Sequence, residues 1–200
     1  MDTVLFDLGG VLVDWNPRYL YRPLFQGDDE AMEHFLATVC APEWNHEMDA
    51  GKPFAVAVRE RQALFPEHAD LIALWKDGWE QMLREPIVES VAILTELRNR
   101  GHRLLALTNW SSEKFPIARA RFAFLSWFED IVVSGDVKLA KPDQRIFELT
   151  IRRAALEPAT TVYIDDNLPN IEAARPLGFH AVHFSTPAKL RAELTRLGLI

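Results

Sequence analysis

A chain of 200 residues, 48% of them apolar, with a net charge of −7, can bury one sizeable core and carry one domain with an elaboration. Its 22 basic residues are scattered rather than gathered in a block, which excludes the electrostatic footprint of a nucleic-acid or membrane-surface binder and leaves a small molecule as the expected partner. Cys40 stands alone, which excludes an intramolecular disulfide and a cysteine-rich zinc site; no apolar run reaches bilayer length and the first residues read as strand rather than signal peptide, so a cytoplasmic protein is expected.

The first element, residues 4–6, is a short apolar run that reads as a buried strand and ends at Asp7, close before Gly9 and Gly10. A long interval follows that reads as helical, with helices over 29–39, 53–64, 68–83 and 87–100 and breaks at Pro42, Gly51 and Pro66. It contains no convincing strand. Beyond it come four more strand-like runs, at 104–107, 131–133, 162–164 and 181–184, separated by amphipathic segments over 111–125, 142–155, 168–177 and 187–197. Pro142 suits a first helical turn, and Gly178 suits a helix stop. Strand-helix alternation of this kind predicts an α/β fold with a doubly wound parallel sheet. Residues 1–15 and 85–200 form the expected core and 16–84 an all-helical cap, inserted over the carboxyl ends of the strands, where open α/β sheets bind ligands. Trp75 and Trp79 read as packing residues of that insert, whereas Trp15 and Trp44 are candidates for touching a ligand.

Four segments carry the chemistry: F-D-L-G-G-V-L-V-D around Asp7, L-T-N ending at Asn109, K-P-D-Q-R-I-F from Lys141, and I-D-D-N at Asp165 and Asp166. Each ends a strand or enters the helix after it, so a parallel sheet collects Asp7, Thr108, Lys141, Asp165 and Asp166 along one edge. Three carboxylates so placed repel, by roughly 4 kcal/mol per pair about 4 Å apart at an effective dielectric near 20. A divalent cation relieves this, and Mg2+ suits an all-oxygen site shared with a phosphate. Lys141 adds positive charge, and the Thr108 hydroxyl offers a donor to phosphate oxygens. Asp7 can then attack phosphorus in line and form an aspartyl phosphate that water releases.

These motifs resemble the haloacid dehalogenase superfamily over essentially the whole chain, and the helical insert looks like the cap of subfamily I on a Rossmann-like core. Within the superfamily they are most similar to α-D-glucose-1-phosphate phosphatases, and less so to the phosphatase domain of soluble epoxide hydrolases. The resemblance implies Asp7 as nucleophile, Thr108 as phosphate ligand, and Lys141 as anchor of both nucleophile and phosphate. It implies Asp165 and Asp166, with Asp7 and the Gly9 carbonyl, as the metal set. Asn170 stands where many members carry another acid. Gly10, Trp15, Thr108 and Asn109 are the candidate substrate-binding residues. The namesake reaction, dehalogenation of 2-haloacids, is the alternative activity. It needs no metal and its enzymes typically lack the acidic pair, so Asp165 and Asp166 favour a phosphatase acting on a small phosphorylated metabolite, with a sugar phosphate as the leading substrate.

One position departs from the pattern. Most superfamily phosphatases carry a second Asp two residues after the nucleophile as general acid and base, and here that position is Gly9. General acid-base catalysis contributes typically 10² to 10⁴-fold, so its loss raises the barrier by roughly 3 to 5 kcal/mol unless something substitutes. Three outcomes stay open: a substrate with a good leaving group, a proton supplied by a cap residue or by Asp14, or a non-catalytic module that binds phosphometabolites. Nothing in the sequence fixes the oligomeric state.

Overall fold

Short apolar runs flanked by helix-length segments build the sheet. The computed structural model describes residues 1–200. β1 (Thr3–Phe6) turns into β2 (Val13–Trp15), and five helices follow: α1 (Arg18–Leu24), α2 (Asp29–Thr38), α3 (Pro42–Asp49), α4 (Phe54–Leu64) and α5 (Ala69–Asp77). β3 (Leu83–Pro86) and α6 (Val88–Asn99) lead back to β4 (Arg103–Thr108), and α7 (Phe115–Arg121) leads to β5 (Asp130–Val133). α8 (Ser134–Val137) and α9 (Gln144–Arg153) precede β6 (Thr161–Asp165), α10 (Leu168–Ala174) precedes β7 (His180–His183), and α11 (Pro187–Arg196) closes the chain. No helix is long and apolar enough to cross a membrane.

The main sheet runs β5-β4-β1-β6-β7 with every pair parallel. Successive β1 residues serve opposite faces: Val4 and Phe6 join the larger apolar cluster, and Leu5 joins the smaller one beneath α9 and α10. Because β1 lies between β4 and β6, its carboxyl end sits where the strand order reverses, beside the ends of both neighbours. The larger cluster continues without a break from the sheet into the insert, taking in Met32, Phe54 and Trp75 together with Phe6 and Leu104.

Four features of the chain differ from the sequence reading. β2 and β3 pair antiparallel, Trp15 opposite Leu83, so the interval expected to lack strands is closed by a two-stranded ribbon; its strands are too short and polar to show a period. The helix expected over 68–83 stops at Gly78, where a Cβ would lie 3.0 Å from Leu20, and a 3-10 turn follows. Pro42 opens α3 rather than marking a gap, since its missing N–H falls where a helix leaves donors unpaired. Pro142 lies ahead of α9, after a cis Lys141–Pro142 bond, and Asp143 caps that helix by accepting from the Arg145 N–H at 2.9 Å.

Candidate active site

The site is built from the carboxyl ends of β1, β4 and β6. Asp7 follows β1, and its N–H donates to Ile164 O at 2.8 Å, so the sheet ladder itself fixes where the carboxylate emerges. Asp7 Oδ1 accepts from the Leu8 N–H at 2.7 Å and lies 3.1 Å from Lys141 Nζ. The chain then turns tightly: Gly10 takes φ +72°, and a Cβ there would meet Asp166 Oδ2 at 2.2 Å. Glycine is required both by the backbone and by the approach of Asp166. Gly10 lies against that carboxylate and is not part of the cavity wall, whereas it was expected among the substrate contacts.

Lys141 is fully buried, and its ammonium has a partner for each proton: Asp165 Oδ2 at 2.6 Å, Leu107 O at 2.9 Å and Asp7 Oδ1 at 3.1 Å. Burial works against its charge, but Asp7 and Asp165 outweigh it and raise the lysine above its ordinary value. Asn109 fixes the segment that delivers it, donating to Lys141 O at 2.9 Å and accepting from the Lys141 N–H at 2.8 Å. The Asn109 amide, expected to contact substrate, is thus engaged mainly in holding Lys141, although the residue also lines the cavity.

The two terminal acids are unlike. Asp165 is completely buried, and its oxygens accept from Lys141 Nζ, the Tyr163 hydroxyl, Asn170 Nδ2 and the Asn167 N–H. Asn170 serves as a donor to that carboxylate. Asp166 instead opens to the cavity. The carboxylate oxygens of Asp7, Asp165 and Asp166 come within 4.8 Å of one another. Burial pushes Asp7 up from 3.8 to about 7; Lys141 pulls it down, and Asp165 and Asp166 add to the rise. Shelter by the cavity walls, then the Asp165 charge, raises Asp166 as well. Three acids against one lysine leave negative charge uncompensated, and an oxygen-only donor set of this kind fits a hard divalent cation.

These groups open into a cavity of about 280 Å³. Of the expected residues, Asp7, Gly9, Trp15, Thr108, Asn109 and Asp166 line it, with Lys141 and Asp165 buried behind. Trp44 does not: its indole donates to Ala57 O and packs on Trp75, so it belongs to the insert's core. Asp14 is engaged by the Tyr19 hydroxyl at 2.6 Å and lies off the cavity. The insert contributes Asn45, Asp49 and Trp79 to the wall, and the loops after β4 and β6 add Trp110 and Asn167. None of these five was expected. The one signal for the first two was their i, i+4 spacing, which places Asn45 and Asp49 on one helical face.

A family model described as haloacid dehalogenase-like hydrolase matches residues 1–178. A sesquiterpene phosphatase of Aspergillus oryzae is 24% identical over 98% of this chain and 95% of its own length. A phosphorylated carbohydrates phosphatase of Thermotoga maritima is 27% identical over 92% of this chain and 84% of its own. Among solved structures, a HAD family enzyme from Bacteroides thetaiotaomicron in complex with magnesium and inorganic phosphate shares the fold, with a TM-score of 0.69 and 21% identity over 92% of this chain and 94% of that one. With its sheet-edge acids, buried lysine and matching family model, this chain belongs to the haloacid dehalogenase-like hydrolases, a family in which phosphatases are among its homologues.

Proposed function

We propose that the protein is a magnesium-dependent phosphatase that hydrolyses a small phosphorylated metabolite through an aspartyl phosphate at Asp7. The observation that carries this reading is the Asp7–Lys141–Asp165 chain of contacts beside Asp166, opening into the cavity. Lys141 and the Leu8 amide both engage Oδ1 of Asp7, which leaves Oδ2 free to attack phosphorus. Thr108, at the end of the neighbouring strand, donates to phosphate oxygens. As the Asp7 Oδ2–P bond forms, the bond from phosphorus to the leaving oxygen breaks. Water then attacks phosphorus, releasing phosphate and restoring the Asp7 carboxylate.

Asp7, Asp166 and the Gly9 carbonyl are the residues we assign to magnesium, which when bound neutralises charge on the acids and on the phosphate. Asp165 has its oxygens committed to protein donors, so its part is to hold Lys141. The insert over 16–84 acts as the cap and sets substrate choice. A sugar phosphate suits a wall that combines the tryptophans Trp15, Trp79 and Trp110 with the amide of Asn167, and the carbohydrate phosphatase among the relatives supports it.

Phosphate release from an aryl phosphate and from a sugar 1-phosphate, with magnesium or with chelator, tests the reading. Release that needs magnesium and is abolished by Asp7→Asn is expected. Halide release from a 2-haloacid in the presence of chelator, without phosphate release, would replace it with dehalogenation. Phosphate-ester binding without turnover would make the chain a binding module.

A further inference from the structure

The position two residues after the nucleophile has no side chain, so the proton that the leaving oxygen needs must come from elsewhere. Among the residues lining the cavity, only three carry an acid: Asp7, Asp166 and Asp49. The first two belong to the nucleophile and metal set, and no histidine, lysine, tyrosine or cysteine lines the wall. Asp14, the other nearby acid, is engaged by the Tyr19 hydroxyl and lies off the cavity.

Resting on the phosphatase reading, we infer that Asp49, delivered by the last turn of α3, is the general acid and base of this enzyme, supplied by the cap in place of the residue that Gly9 lacks. Its placement is built rather than incidental. Asn45, one turn earlier, donates to Asp49 Oδ2 at 2.8 Å, and the Ser111 N–H faces the carboxylate closely enough to lower it somewhat. Ser111 sits on the loop that begins with Thr108 and Asn109, and Asp49 lines the same cavity as that loop, the one expected to hold phosphate. The Ser134 hydroxyl donates to Asp49 O at 2.5 Å and accepts from the Trp110 N–H at 2.9 Å, tying the end of α3 to the same loop. Gly135 permits this junction, since a Cβ there would lie 2.4 Å from Ser112 N.

Both partners of the Asp49 carboxylate are neutral. Burial pushes its carboxyl up from 3.8 to about 7, with Ser111 and Asn45 pulling the other way, so a protonated acid is available near neutrality. In the first step the Asp49 proton passes to the leaving oxygen as its bond to phosphorus breaks. In the second, the Asp49 carboxylate takes a proton from water as the water oxygen bonds to phosphorus and the Asp7–phosphorus bond breaks. Asp49 ends protonated, as it began.

The test compares kcat/KM of wild type and Asp49→Asn on an alkyl phosphate and on 4-nitrophenyl phosphate, with magnesium, because kcat/KM reads the step in which the leaving group departs. A loss of about 10² to 10⁴-fold on the alkyl ester, against less than about tenfold on the aryl ester, is expected. Gly9→Asp in the Asp49→Asn background should recover the alkyl ester selectively, since a Cβ at Gly9 meets nothing within 4 Å. Equal losses on both esters, or none on either, would overturn the role of Asp49 while leaving the phosphatase intact. Absence of phosphate release by wild type from both esters would overturn the phosphatase reading itself, and with it the role of Asp49.

Discussion

The two walls of the cavity are held in opposite ways. On the sheet side the two buried charges are answered: Lys141 has a partner for each proton, and Asp165 accepts from four groups. On the cap side Asp49 accepts from the Asn45 amide and has no counter-ion, and burial pushes its carboxyl up to about 7. A group that must hold one charge through every turnover is locked by ions. Neutral amides tolerate both the protonated and the ionised form, which suits the proton transfer we infer for Asp49. The same partition separates Asp165, whose oxygens are committed, from Asp166, whose carboxylate opens to the cavity.

The sharpest way to break this comparison is to remove the sheet-side cation. Lys141→Met leaves Asp7 and Asp165 buried without it, which costs about 3–5 kcal/mol of stability; urea unfolding should show that loss together with loss of phosphate release. Retention of wild-type stability would mean that the acids are already neutral in the folded protein, and the ionic description of this wall would be wrong.

The cap side should respond with the opposite sign and a smaller size. Because the folded-state value of Asp49 is raised from 3.8 to about 7, the folded chain keeps a proton that the unfolded chain has lost over that window. Its contribution to stability is therefore full below about pH 4, falls as pH rises, and is lost above about pH 7. Asp7 shows a rise to about the same value, so wild type alone does not separate the two. Asp49→Asn does: the variant should be more stable than wild type at pH 8, by on the order of 1–3 kcal/mol, and nearly equal to it at about pH 3.5. Thermal unfolding at both pH values checks this, and a variant less stable at pH 8 would show that the ionised carboxylate is a stabilising part of the cap junction.

How much of each wall was legible in the sequence follows from how each is made. Strand ends in a parallel sheet have fixed neighbours, so an acid after one strand, a threonine ending another and an acidic pair ending a third are brought together by topology alone. Asp7, Thr108, Asp165 and Asp166 could be grouped on that rule, and Lys141 with them because its segment enters a helix at the same edge. What the rule does not carry is which acid faces inward: Asp165 and Asp166 are adjacent in sequence but alternate across the strand end, one completely buried and the other open. The cap wall depends on how α3 is rotated and docked, and that is decided by contacts such as Ser134 to Asp49, residues far apart in the chain. Trp44 and Asp49 lie on the same short helix; the aromatic was the expected ligand contact, yet its indole turns into the insert's core while the carboxylate lines the cavity.

The most direct measurement is a rapid acid quench of the enzyme during turnover of a phosphorus-labelled aryl phosphate, followed by peptide mapping. Label that is released by hydroxylamine and resides on the peptide containing Asp7 is the expected result, and it should be absent from Asp7→Asn. Full wild-type turnover with no label trapped under conditions that slow dephosphorylation, or label on any other residue, would contradict an aspartyl phosphate at Asp7.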